Sequence, residues 1–389
     1  MKDYLKKQII DSVESDLNEL LEIKKYLYEN PEVGGTEALA SARLIQFMKD
    51  NGFTVTAPVL EIPYSFRAEY DSGKPGATIG LTAEYDALPE IGHGCGHNII
   101  CTTSLGAANA LKKVVSEVGG KVILYGTPGE ENVCSKVAMS QGGVFDEADV
   151  VMTTHPNGTD MVSGKTTAID AWQADFYGKS AHAGAHPEEG INALDAAVYF
   201  YNLVGFEKQY LPNTNIYGVF GDAGQKCSVI PDHASVKYLV RTRSMKDMVK
   251  VRDMLERCAE GASRAVGTTH KLWNNEPPNM DMVTNQTLSE VFTANYEKIS
   301  GHIMIREDNA ASTDMGDVSH VVPAIHPWVG LNAPDVMLHS REFAELSMTK
   351  AGDDAVKYGA EALAMTGMEV LTNPELLAKI KEEFRKTFE

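Results

Sequence analysis

Apolar residues recur at intervals of three and four through Leu17, Leu20, Leu21, Ile23 and Leu27, with charged residues between them, and predict an opening helix. A second helix is predicted over residues 36–51, stopping at Gly52, where glycine suits the left-handed turn that ends a helix. Short apolar runs then alternate with helical periodicity. Thr78–Ala83 reads as a buried strand. Residues 99–115 read as a helix with Ile100, Ser104, Ala107, Ala108, Leu111 and Val115 on one face, and residues 121–125 and 150–153 read as two more strands. Continuous apolar strands alternating with helices predict a mostly parallel sheet covered on both faces.

The rhythm changes between residues 165 and 273. A strand over 167–177, a helix over 191–208, strands over 214–220 and 235–242, a helix over Met245–Val266 and a strand over 269–273 give the order βαββαβ, a split ferredoxin-like unit. Asn274-Asn275-Glu276-Pro277-Pro278 reads as the exit linker. Helix and strand patterns then resume and end in a charged helix, Pro374–Phe388. The expected architecture is an α/β catalytic domain, residues 1–164 and 274–389, interrupted by an inserted α+β domain, residues 165–273.

Composition narrows the function classes. The formal net charge of −19 sets the chain against phosphate backbones and anionic membranes, so neither nucleic acid nor a membrane is an expected partner. The first residues carry no apolar leader and no run approaches the ~18 apolar residues of a span. Five scattered cysteines, at 95, 101, 134, 227 and 258, suit a reducing compartment better than a disulfide framework, so the expected location is cytoplasmic.

The chemistry concentrates at strand ends. Gly92-His93-Gly94-Cys95-Gly96-His97-Asn98 places two imidazoles and a thiol within five residues, spaced by glycines that let the backbone fold around one ion. Cys95 and His97 share a face of an extended segment, and spacing alone does not exclude His93. Glu84 and Asp86 follow one strand, Glu130 and Glu131 the next, and His155 the third. Open α/β sheets bind ligands beyond the carboxyl ends of their strands. One of two adjacent glutamates can ligate a metal while the other accepts a proton. In the inserted domain, His182 and His186 sit in a loop of small residues. Asn215 and Arg241 lie in strands; an arginine can grip a substrate carboxylate, or simply form a surface salt bridge. His339 follows an apolar tripeptide, and spacing does not select it.

These segments together resemble the M20 family of dinuclear metallopeptidases and amidohydrolases, in the branch with aminoacylase-1-like protein 2 and the aminobenzoyl-glutamate hydrolases. The likeness is carried, in order, by Ala83-Glu84-Tyr85-Asp86-Ala87-Leu88-Pro89, His93-Gly94-Cys95-Gly96-His97-Asn98, Pro128-Gly129-Glu130-Glu131, His155-Pro156, Gly178-Lys179-Ser180-Ala181-His182-Ala183-Gly184, Ser312-Thr313-Asp314-Met315-Gly316 and Leu338-His339-Ser340. The resemblance implies that Cys95, His97, Glu131, His155 and His339 bind two divalent ions, zinc foremost, with manganese and cobalt as alternatives. It implies Glu130 as general base and Asp86 as the group orienting a ligand histidine. It also implies His182 as an oxyanion-stabilising residue lent across a dimer or larger homo-oligomer built through the inserted domain, and Asn215 and Arg241 as the grip on a substrate carboxylate. Asn98 stands where the branch often has Asp, Ser228 replaces the Asn of an Asn-Val-Ile-Pro motif, and Ala223-Gly224 replaces a glycine pair. The implied activity is hydrolysis of dipeptides or N-acyl amino acids with a free carboxylate. A peptidase for longer peptides and a catalytically silent metal-binding scaffold are the alternatives.

Overall fold

The structure is a computed structural model that describes residues 2–306 and 311–389. The chain divides into two compact units. The first holds residues up to Lys165, 282–306 and Asp314–Glu389; the second holds Thr166–Asp281 with residues 311–313.

In the first unit, α1 (Lys2–Glu29) buries Leu5, Ile9, Val13, Leu20, Ile23 and Leu27, one stripe of a 3.6-residue period. Helix α2 (Ala38–Asp50) ends at Asn51, and Gly52 follows with φ +76°. Strands β1 (Thr54–Thr56), β2 (Phe66–Asp71), β3 (Thr78–Ala83), β4 (Lys121–Gly126) and β5 (Val150–Met152) join β13 (Ala324–Ile325) in a six-stranded sheet ordered β1-β2-β4-β3-β5-β13. Strands β3, β4, β5 and β13 run parallel, whereas β1 and β2 add an antiparallel edge. Both β3 and β4 are buried along nearly their whole length, so they read as continuous apolar runs. By contrast, β2, paired on both sides, alternates between buried and half-buried positions over its first residues, the pattern of a strand with one face toward solvent. Helix α3 (His97–Val118) is buried almost throughout, packed against α1, β3, β4 and a late helix described below. After α4 (Ser135–Gln141) and β5, the chain forms β6 (His155–Asn157), which leaves the main sheet.

The second unit is a four-stranded antiparallel sheet under two helices. Strands β7 (Ala168–Tyr177), β9 (Asn215–Asp222), β11 (His233–Thr242) and β12 (Thr269–Asn274) are ordered β12-β7-β11-β9. A two-residue strand β8 (Ala181–His182) pairs with β10 (Val229–Ile230) as a separate ribbon. Helices α5 (Ala193–Glu207) and α6 (Met245–Val266) pack on the sheet around Phe176, Phe200, Val204, Val236, Met254 and Leu255. Ser244 caps α6 by accepting the Asp247 N–H, and Gly267, at φ +89°, ends it. Residues 274–281 stay on β7, with Asn275 N–H bonded to Ala171 O and Asn279 exchanging both backbone bonds with Ile169.

The chain then completes the first unit with α7 (Gln286–Ser300), α8 (Met315–Ser319), β13, β14 (Trp328–Gly330), α9 (Arg341–Leu346), α10 (Lys350–Thr372) and α11 (Pro374–Phe388). Strand β14 pairs in parallel with β6, and α10 lays Val356, Ala360, Leu363, Ala364 and Met368 into the core beside α1 and α3. No helix among the described residues is long and apolar enough to cross a membrane.

Candidate metal and catalytic site

Strand ends and loops converge in the first unit. Gly96 starts α3 with φ +80°, a conformation that favours glycine, and a Cβ there would lie 2.4 Å from Pro156 Cγ. That close approach lets the Cys95–His97 turn pack against the His155–Pro156 segment. His155 therefore does not end the strand over 150–153; it opens β6, which pairs with β14. Cys95 Sγ lies 3.4 Å from His155 Nε2, and the His155 Nδ1–H donates to Pro156 O at 2.7 Å.

His97 is pinned in the same way. Its Nδ1–H donates to Asp86 Oδ1 at 2.9 Å and to Asp86 O at 3.0 Å. Asp86 Oδ2 accepts the Glu131 N–H at 3.1 Å, so one carboxylate fixes two neighbouring candidate ligands. His97 Nε2 is buried with no hydrogen-bond partner. His339 has φ +62°, donates its N–H to Gly94 O, and brings Nε2 to 3.1 Å from Glu131 Oε1.

Donor atoms of Cys95, His97 and His155 lie within 4.8 Å of one another, as do those of Cys95, Glu131 and His339, and those of His97, Glu130 and Glu131. The structure thus brings together all five candidate ligands and Glu130. His93 joins none of these groups; it is buried, and burial pushes its pKa down to about 3. His182, Asn215 and Arg241 lie in the second unit. His182 is exposed on β8, where Nδ1 accepts the Gly184 and Ala185 N–H groups. Arg241 and Asn215 are direct partners across β11 and β9, so their side chains share a face of the sheet. Arg241 donates to Ser312 Oγ at 2.8 Å and has no carboxylate partner among the described residues.

A buried charge cluster stands behind the ligands. Lys136, fully buried, places Nζ 2.9 Å from Glu84 Oε1 and 2.5 Å from Asp314 Oδ1, and its N–H donates to Asp314 Oδ2 at 3.1 Å. Glu84 Oε2 is 3.7 Å from His97 Nε2. Burial alone would raise Glu84, but Lys136 and the surrounding imidazoles hold it at about 2. Burial, with Glu84 nearby, outweighs Lys136 at Asp314 and raises it to about 7. Burial and then the acids Asp314, Glu84 and Glu131 push Glu130 well up. Burial also raises the Cys95 thiol far above its usual range. Sequence reasoning gave Lys136 no role, since a lysine at the start of a helix resembles any solvated one. It also passed over His326, which is buried 5.4 Å, ring to ring, from His155.

Residues 167–266 match the peptidase dimerisation domain of the M20 family. Over 98% of its length the chain is 31% identical to the Xaa-Arg dipeptidase of Mus musculus, covering 93% of that protein. It is 27% identical to one of the polypeptides of the p-aminobenzoyl-glutamate hydrolase of Escherichia coli, over 97% of this chain and 94% of that one. Its fold matches that of a Bacillus subtilis M20 peptidase described as dinuclear metal binding, with a TM-score of 0.67, 19% identity, and 92% of this chain and 99% of the other covered.

Proposed function

The chain belongs to the M20 family and is a hydrolase of amide or peptide bonds, and we propose that it cleaves dipeptides or N-acyl amino acids bearing a free carboxylate, with two divalent metals. The observation that carries this is the convergence of Cys95, His97, Glu131, His155 and His339 around Glu130. The donor set fits a cation. His97 and His155 both spend Nδ1 on oxygen acceptors and turn Nε2 inward, and His97 Nε2 is a buried nitrogen without a partner. A thiol this buried ionises only beside a compensating positive charge. Zinc suits the mixture of sulfur, imidazole and carboxylate, as do manganese and cobalt less closely.

Bound there, the metals would polarise the scissile carbonyl and acidify water. Glu130 takes a proton from the attacking water and returns it to the leaving amine. Asp86 keeps His97 and Glu131 in register. Asn215 and Arg241, side by side, hold the substrate's carboxylate, and His182 donates to the oxyanion. The relatives' names supply the first substrates to try: dipeptides ending in arginine, and p-aminobenzoyl-glutamate. Assembly through the inserted domain and a cytoplasmic setting belong to the same proposal. The first is supported by the exposed Tyr199, Phe206, Tyr217 and Val219 on α5 and β9, the second by Cys95, Cys101, Cys227 and Cys258, which form no disulfide.

The direct test is a panel of dipeptides and N-acyl amino acids with metal-loaded protein. Elemental analysis should approach two metals per chain, and exhaustive chelation should abolish turnover; a metal-free protein of full activity would defeat the proposal. Amidating the substrate's carboxylate should lower kcat/KM by about 10–100-fold, the worth of a charged hydrogen-bonded contact. In Arg241→Ala that penalty should shrink to a few-fold, and if it persists the carboxylate grip lies elsewhere. On the exposed edge, Val219→Asp should shift the protein toward monomer in sedimentation velocity; an unchanged assembly would place the interface off β9.

A further inference from the structure

The ribbon that carries His182 is a small structure on a narrow root. Strand β7 ends at Tyr177 and β11 begins at His233, and these two residues face each other in register. Past them the chains continue into β8 and β10, where His182 pairs with Val229 and Ala181 with Ile230. A ribbon of two residues per strand has little stability of its own. It leaves the sheet at the Gly178 N–H to Asp232 O bond and is closed further out by the Ala183 N–H to Ser228 O bond, while Lys179, exchanging both backbone bonds with Ile191, and the Ala193 N–H to Pro231 O bond tie its base to the start of α5.

At that root a polar chain crosses all four strands. Trp273 on β12 donates Nε1–H to Asp175 Oδ2 on β7 at 2.6 Å. Asp175 Oδ1 lies 3.0 Å from His233 Nε2 on β11, and His233 Nδ1 lies 3.0 Å from Asp222 Oδ2 at the end of β9. Asp222 Oδ1 accepts the Gly224 N–H at 3.1 Å, in the loop that leads to β10. We propose that His233 is a positioning residue for His182, its ring clamped between Asp175 and Asp222 so that the β8–β10 ribbon leaves the sheet in one direction. The proposal rests on the reading of His182 as a contributor to turnover.

The chemistry of the clamp requires a proton. A neutral imidazole has one N–H, so both nitrogens can donate to carboxylates only in the imidazolium form. Partial burial disfavours that form, but Asp222 and Asp175 outweigh it and raise the pKa of His233 above 6.5. The other ionisable groups around the ring are few. The Tyr177 ring is 5.3 Å away, Lys226 and Asp232 share with His233 the lining of a 250 Å³ cavity, and Lys271 faces Asp175 from β12. The folded pKa is raised, so both bonds are present below about pH 6.5, and one is lost as pH rises through the folded value.

The test uses full-length, metal-loaded protein with alanyl-arginine, or the best substrate of the panel above. His233→Gln should lower kcat about tenfold at pH 6, with KM and metal content within about twofold, since a catalytic group misplaced by ~1 Å can cost ~10². Asp222→Asn, which alters only the half-exposed end of the clamp, should lower kcat about threefold. Both deficits should narrow as pH rises, because the unaltered protein then loses a bond too. In a His182→Ala background, His233→Gln should have no further effect on kcat, whereas a general structural role would lower it again. If His182→Ala is impaired but the deficits are flat with pH, or the two changes multiply, the clamp is wrong while the role of His182 stands. If His182→Ala turns over normally, the role of His182 falls and the positioning role falls with it.

Discussion

Glu130→Gln should lower kcat by at least ~10² while leaving metal content and KM nearly unchanged. Gln keeps the size and polarity of the side chain but cannot take a proton at neutral pH. The structure separates the two adjacent glutamates: the Glu131 carboxylate contacts His339, and its N–H is tied to Asp86. Glu130 groups with His97 and Glu131 but not with Cys95 or His339. Elemental analysis alongside steady-state kinetics checks the assignment. Activity within a few-fold of the unaltered protein would move the base elsewhere, and parallel loss of metal would make Glu130 a ligand.

Lys136→Met should destabilise the first unit by about 3–5 kcal/mol, the usual cost of removing one partner from a buried ionic group. Methionine fills similar volume, so little of that loss is a cavity. What changes is that Glu84 and Asp314 keep their burial and lose the cation between them. Hydrogen exchange across β3 and α4 reads the loss in the unit where it arises. Adding Glu84→Gln and Asp314→Asn should recover part of the protection, since no uncompensated charge is left. A loss below about 1 kcal/mol would show that water or rearrangement already satisfies the cluster.

Much of the candidate site was legible because its residues stand at strand ends, and buried parallel strands announce themselves as unbroken apolar runs. Glu130–Glu131 beside β4 could be picked out from any other acidic pair on that ground. The antiparallel edge was not legible: β1 has three residues, and the half-buried alternation of β2 resembles a loop. His326 also follows an apolar run, residues 321–325, and precedes a proline as His155 does, but Pro323 interrupts the strand pattern and only Ala324–Ile325 form β13. Lys136 became distinctive only once folding enclosed it between two carboxylates distant in sequence. The partnership of Asn215 and Arg241 depends on the register of β9 against β11, and that of Asp175, His233 and Asp222 on three strands at once. Periodicity finds elements; register between distant elements is a property of the assembled sheet.

The first unit is discontinuous, and this has a consequence for synthesis on the ribosome. Its core needs Val356, Ala360 and Leu363 of α10 against α1 and α3, yet the whole second unit emerges in between. At ~5–20 residues per second, the nascent α1–β6 segment waits roughly tens of seconds with the apolar face of α3 uncovered, while the later-made unit can already close. Order of completion thus inverts order of translation, and the early segment is the natural client for a chaperone. Slowing translation anywhere between residues 166 and 350 should reduce soluble yield more than an equal delay before residue 97, when α3 has not yet been made.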